Sequence, residues 1–91
     1  PSTDLAVLCA LLSSYEDVPL SQHMCFAGEV GLSGEIRAVN KIEQRIAEAE
    51  RLGFEKIIVS KYNTKGLSKH KFSIEIVTMS RVEELYRYLF Q

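Results

Sequence analysis

No stretch of this 91-residue chain is long and apolar enough to cross a bilayer, which excludes a helical membrane span. There is no apolar targeting segment and no initiator methionine, so the chain, starting at Pro1, reads as an excised piece of a longer protein. Only two cysteines occur, Cys9 and Cys25, both within apolar runs, the usual setting of reduced, buried thiols in a cytosolic protein. A disulfide between them is disfavoured because small secreted domains usually carry several staples. Zinc is less favoured still, since His23 and His70 lie at no ligand spacing from either thiol. Neither a Gly-x-x-x-x-Gly-Lys-Ser/Thr loop nor a Cys-x-x-Cys pair is present, so neither a phosphate-cradling loop nor a zinc finger is encoded here.

Basic residues are missing from the first third altogether. Residues 1–36 hold five acids (Asp4, Glu16, Asp17, Glu29, Glu35) and no Lys or Arg, whereas residues 37–71 hold nine bases against four acids. The whole chain is nearly neutral, at −1. Such polarity gives either one basic face or, once folded, a surface on which the charges mix. Ninety-one residues suit a single domain, 1–91, whose core is adequate but small, which makes association a natural source of further burial.

Leu5, Leu8, Cys9 and Leu12 share one helical face, predicting a helix over about 3–15 with Ser2 or Thr3 at its N-cap and Asp4 in the first turn. Pro19 closes that region. The segment 23–30 is rich in β-compatible residues, Gly31 to Gly34 form a turn, and 35–39 is extended, predicting two short strands. Asn40 with Glu43 three residues on resembles a capping box for a second helix that ends at Gly53. The continuous apolar run Lys56-Ile57-Ile58-Val59-Ser60 predicts a strand covered on both faces, with the preceding helix as its crossover. A polar loop over 62–71, a strand over 72–77, and a last helix capped by Ser80 and Glu83 complete the reading. The order α, β-β, α, β, β, α points to an α/β (α+β) layer structure, a mixed sheet with packed helices.

The informative stretch is Gly28-Glu29-Val30-Gly31-Leu32-Ser33-Gly34-Glu35-Ile36-Arg37, followed by Ile42-Glu43-Gln44-Arg45 and Leu52-Gly53-Phe54. This pattern resembles the C-terminal Lon-protease-like domain of the bacterial RadA (Sms) family of DNA repair and recombination proteins, closely over 27–63 and more loosely over the whole chain. Ala38 departs from it, standing where the family usually has proline. The resemblance implies the C-terminal part of the Lon proteolytic-domain fold, similar to ribosomal protein S5 domain 2, with N-terminal strands of the sheet outside this chain. An uncovered strand edge invites association.

Lon-type peptidases use a serine nucleophile and a lysine base, and a gapless count from Gly28 and Glu29 puts these positions on Ser2 and Arg45. The base must be able to reach its neutral form near pH 7. A buried lysine does so, but arginine keeps its proton at every ordinary pH. The dyad is therefore degenerate, and Ser2 reads as a helix-capping hydroxyl. Arg45 suits pairing with an acid across a subunit boundary, or phosphate binding.

The expectation that follows is a non-catalytic scaffold, oligomerisation and DNA-contacting domain. By resemblance it sits at the end of a cytoplasmic, hexameric RecA-type ATPase and branch-migration motor that works with a recombinase. ATP, Mg and Zn would belong to upstream parts; this domain would hold no cofactor and no metal. The candidate DNA contacts are Arg37, Lys41, Arg45, Lys61, Lys65, Lys69 and Lys71, with Tyr62 as a stacking ring, on single-stranded or branched DNA. A solvated loop accounts for the same lysines. The alternatives are a residual serine peptidase using Ser2 and a protein-interaction module.

Overall fold

The computed structural model describes residues 3–91, apart from the Lys69 side chain. Strand β1 (Thr3–Asp4) leads directly into helix α1 (Leu5–Glu16). Asp4, not Ser2 or Thr3, caps α1: its Oδ1 accepts from the Ala6 and Val7 N–H groups at 2.9 and 3.3 Å. Thr3 belongs to the strand, and Ser2 lies outside the described residues. Asp17, in the left-handed region at φ 56°, ends the helix.

The extended segment after α1 divides into two strands that serve different sheets. Strand β2 (Met24–Ala27) pairs in parallel with β5 (Lys56–Ser60), which pairs in parallel with β6 (Glu75–Met79). Strand β3 (Glu29–Val30) pairs antiparallel with β1 on one side and β4 (Ile36–Arg37) on the other. The break falls at Gly28, whose carbonyl accepts from the Leu5 N–H at 2.9 Å. A Cβ there would sit 3.3 Å from both Ile36 Cγ2 and Leu5 Cδ2, a tight approach for any other residue. The α/β class and packed helices expected from the sequence are present, with the strands divided between an antiparallel and a parallel sheet.

Helix α2 (Ile42–Arg51) begins at Lys41 rather than Asn40, and α3 (Val82–Phe90) at Arg81 rather than Ser80. Glu84, not Glu83, closes the α3 start, its Oε1 accepting from Ser80 N–H, Ser80 Oγ and Arg81 N–H at 2.9, 2.7 and 3.0 Å. Gly53, at φ +94°, takes the left-handed position after α2 as expected. The polar segment after β5 contains two short 3-10 turns, Lys61–Asn63 and Lys69–Lys71.

The parallel sheet separates two apolar clusters because alternate residues of β5 point to opposite faces. Ile58 packs with Leu5, Cys9, Ile36, Met79 and Leu85 on the side of α1 and α3. Ile57 and Val59 pack with Ala27, Ile46, Ala49 and Ile74 on the side of α2. Full burial of each large aliphatic side chain contributes about 1.5–3 kcal/mol. The central strand therefore carries much of the core.

Candidate nucleic-acid interface

Helix α2 lies against the outer strand β2, and a groove of about 490 Å³ runs between them. Cys25, Phe26, Ala27, Ala49 and Phe54 give it an apolar floor; Asn40, Lys41, Gln44, Arg45 and Glu48 line its polar side. Lys41 and Arg45 stand four residues apart on the exposed face of the helix, so their charges reinforce one another. Lys41 has φ 58° and its ammonium has no acceptor, so the helix start carries no side-chain cap. Glu48, the one carboxylate on the groove among the described residues, is paired with Arg51, which holds its carboxyl below the ordinary range. Among the described residues neither Lys41 nor Arg45 has an ion-pair partner.

The other basic group sits beyond the carboxyl end of β5. Buried Ser60 fixes it: its Oγ donates to the Ile36 carbonyl at 2.9 Å and accepts from the Tyr62 N–H at 3.1 Å. Asn63 clamps the same turn to the chain before α2, accepting from Val39 N–H at 3.0 Å and donating to Val39 O at 2.9 Å. Lys61 Nζ lies 5.4 Å from the Tyr62 ring centroid, a cation–π contact. Lys65 is exposed and, among the described residues, without an ion partner. Lys71 Nζ is 3.0 Å from Glu43 Oε1 on α2. Lys69 sits in the second 3-10 turn.

Arg37 is committed elsewhere. Its Nη2 and Nε lie 2.8 and 3.0 Å from Glu35 Oε2. A backbone N–H, the Arg37 guanidinium and the Ser33 N–H lower the Glu35 carboxyl below its ordinary value. The turn bearing Glu35 is in turn bound to the start of α3: Arg81 Nη2 donates to Ser33 O at 2.5 Å and Val82 N–H to Gly34 O at 2.9 Å. The Gly-Glu-Val-Gly-Leu-Ser-Gly-Glu-Ile-Arg motif is thus a fastened hairpin. Among the described residues, Lys41, Arg45, Lys61 and Lys65 have no carboxylate at ion-pair distance, although Glu84 feels the Lys61 charge, whereas Arg37 and Lys71 are paired.

The groove beside Arg45 brings no imidazole to it. His23 instead faces Glu55 at 3.7 Å in a separate cleft. The thiol that does line the groove, Cys25, is pushed up by burial and so away from the thiolate that would react. Ser2 lies outside the described residues. Among the described residues no group of three or more His, Cys, Asp or Glu is arranged to hold a metal ion, and no helix is long and apolar enough to cross a membrane.

Sequence reasoning missed Asn63, Ser60 and Gln44. The first two are recognisable only through partners 24 residues away. Gln44 lines both the groove and the shallow pocket with Glu43 and Lys71, so α2 is the wall shared by both basic groups.

A family model described as subunit ChlI of Mg-chelatase matches residues 1–63. Three relatives share the name DNA repair protein RadA. The protein from Streptococcus pneumoniae is 47% identical over 90 residues, covering 99% of this chain and 21% of its own length. That from Bacillus subtilis is 44% identical over 87 residues, 96% of this chain and 19% of its own. That from Listeria monocytogenes is 44% identical over 84 residues, 92% of this chain and 18% of its own. The chain spans about a fifth of the length of these relatives.

Proposed function

The chain belongs to the family described as subunit ChlI of Mg-chelatase and is similar over nearly all its length to RadA repair proteins; from that premise we propose that it is a DNA-contacting scaffold domain of such a protein. The near-complete coverage of this chain by RadA relatives is the observation that carries the reading. In it, the domain performs no chemistry. Arg45 stands where the resemblance puts the peptidase base, and a guanidinium cannot accept the nucleophile's proton. Lys41, Arg45, Lys61 and Lys65 neutralise phosphate instead, and Arg37, Lys69 and Lys71 are the further candidates.

The scaffold role draws support from apolar surface left open. Val7, Leu11 and Tyr15, four residues apart, are 52, 62 and 85% exposed along one face of α1. Strand β2 is the edge of its sheet among the described residues. Both features suit a domain that packs against neighbouring protein, and the proposal is a hexameric ring, in the cytoplasm, working with a recombinase. ATP, Mg and Zn are assigned to other parts of the parent.

The test is equilibrium DNA binding by the full-length protein carrying this chain, against a Lys41→Glu, Arg45→Glu, Lys65→Glu variant, over a range of salt. Each lost phosphate contact flattens the logarithmic salt dependence by about 0.9 on duplex DNA, so the variant should bind more weakly with a slope smaller by up to about 3. Unchanged affinity and slope refute the DNA-contacting role. Ser2-dependent cleavage of unfolded protein refutes the non-catalytic one.

A further inference from the structure

We propose that Tyr62, with Lys61 at its ring and Lys65 three residues further along the chain, is a stacking site for one unpaired nucleobase at the carboxyl end of β5. This rests on the nucleic-acid reading above and adds the part of the ligand recognised: a base face, not only phosphate. The ring is 61% exposed, yet its backbone is held on both sides. Ser60 Oγ accepts from the Tyr62 N–H, Asn63 is clamped twice to Val39, and Thr64 Oγ1 donates to the Lys61 carbonyl at 2.6 Å. An exposed aromatic held in this way has little backbone freedom left to lose on binding, which favours a rigid flat ligand.

The electrostatics narrow the ligand further. Residues 56–74 contain five lysines and no Asp or Glu, so a polyanion meets no repulsion from this segment. The Lys61 ammonium lies 5.4 Å from the ring centroid and Lys65, exposed, follows three residues on, which supplies cations to the phosphates flanking a stacked base. Tyr88 also has a lysine at its ring, Lys56 Nζ 5.2 Å from the centroid, but Glu75 lies 3.9 Å from that ammonium. Tyr15 adjoins Glu16 and Asp17 on the apolar face of α1, and the Tyr88 hydroxyl is engaged by Lys56 Nζ at 2.6 Å. Bases inside a duplex are already stacked on one another, so the site selects an unpaired strand.

The experiment compares binding of a labelled thymidine oligonucleotide and an abasic strand of equal length by the full-length protein. The second strand keeps the phosphates and removes the bases. Tyr62→Ala should weaken thymidine binding about 5- to 150-fold and leave abasic binding within about twofold; Tyr62→Phe should keep both affinities. Lys65→Ala should weaken both. Equal losses on the two strands for Tyr62→Ala, or no loss on either, overturn the stacking site. If the charge-reversal variant above still loses affinity while Tyr62→Ala does not, only this inference falls. If the charge reversal changes nothing either, the DNA reading falls with it.

Discussion

Removing the hydroxyl of Ser60 tests whether the floor of the basic turn is set by one buried hydrogen-bond junction. Ser60 is fully buried, and its Oγ joins the Ile36 carbonyl of β4 to the Tyr62 N–H of the 3-10 turn. Ser60→Ala removes both hydrogen bonds and leaves their two partners in place, with the space almost unchanged. Two ordinary hydrogen bonds contribute about 0.5–1.5 kcal/mol each, and a partner left buried and unsatisfied costs about 1–3 kcal/mol. The Tyr62 N–H lies near the surface and can turn to water, whereas the Ile36 carbonyl is deep. The expected destabilisation is therefore about 2–4 kcal/mol. For a domain of this size that lowers Tm by about 8–30 °C. Urea unfolding followed by circular dichroism measures it, with Ser68→Ala, an exposed serine, as the control that should move stability by less than about 0.5 kcal/mol. A Ser60→Ala protein as stable as that control would show that the turn is held by packing and the Asn63 clamp alone.

Acid should loosen the domain through its lowered carboxylates; on the surface Glu48 is held down by Arg51, and Glu83 by its own backbone N–H and then Arg81, while three others accept from backbone N–H groups of other residues. Glu35, Glu50 and Glu84 all have folded values lowered from 4.5, Glu50 by the Ile74 and Ser73 N–H groups and Glu84 first by the Ser80 hydroxyl and N–H. Their contribution is present above the unfolded value and lost as pH falls through the lower folded one, so stability should drop below about pH 4.5. Replacing these three by glutamine should make that limb shallower in urea titrations, leaving the part due to Glu48 and Glu83; an unchanged limb contradicts the assignment. The two thiols should separate in kinetics. Cys9 is fully buried and raised to about 12 by burial and then by Asp4, while Cys25 is half-buried on β2. A thiol reagent at mildly alkaline pH should label Cys25 first and Cys9 only on unfolding; the reverse order refutes the placement.

The helices, the central strand and the glycine turn were legible because each is written in a local pattern. Ile57, Ile58 and Val59 are buried together because β5 is covered on both faces, as a continuous apolar run implies. What local pattern cannot carry is the partner. The segment 23–30 reads as one strand because every residue but Gly28 suits one, yet the close approach of Leu5 and Ile36 at Gly28 sends its two halves to different sheets. The caps were displaced by one residue at α2 and α3, and at α1 the cap fell to Asp4, each for a chemical reason. A carboxylate at Asp4 outcompetes the hydroxyl before it, Asn40 is left outside α2 by the left-handed Lys41, and Glu84 reaches back over both Ser80 and Arg81.

The same distinction governs the site. Charge in the sequence marks where cations are, but whether a cation is available depends on which carboxylate folds onto it. Arg37 and Lys71 carry the same formal charge as Arg45 and Lys65, yet Glu35 and Glu43 occupy them. In the exposed setting each such pair is worth little to stability, about 0–1 kcal/mol, so its main effect is on the field outside. A phosphate approaching Arg37 meets a neutralised pair, and one approaching Arg45 meets Lys41 adding to it. Reversing Arg37 and Lys71 should therefore lower DNA affinity less than reversing Lys41 and Arg45, although the change in net charge is identical. Equal losses from the two double variants, measured at one salt concentration, would mean that the domain attracts DNA through its total charge and that the pairing seen in the fold has no bearing on it.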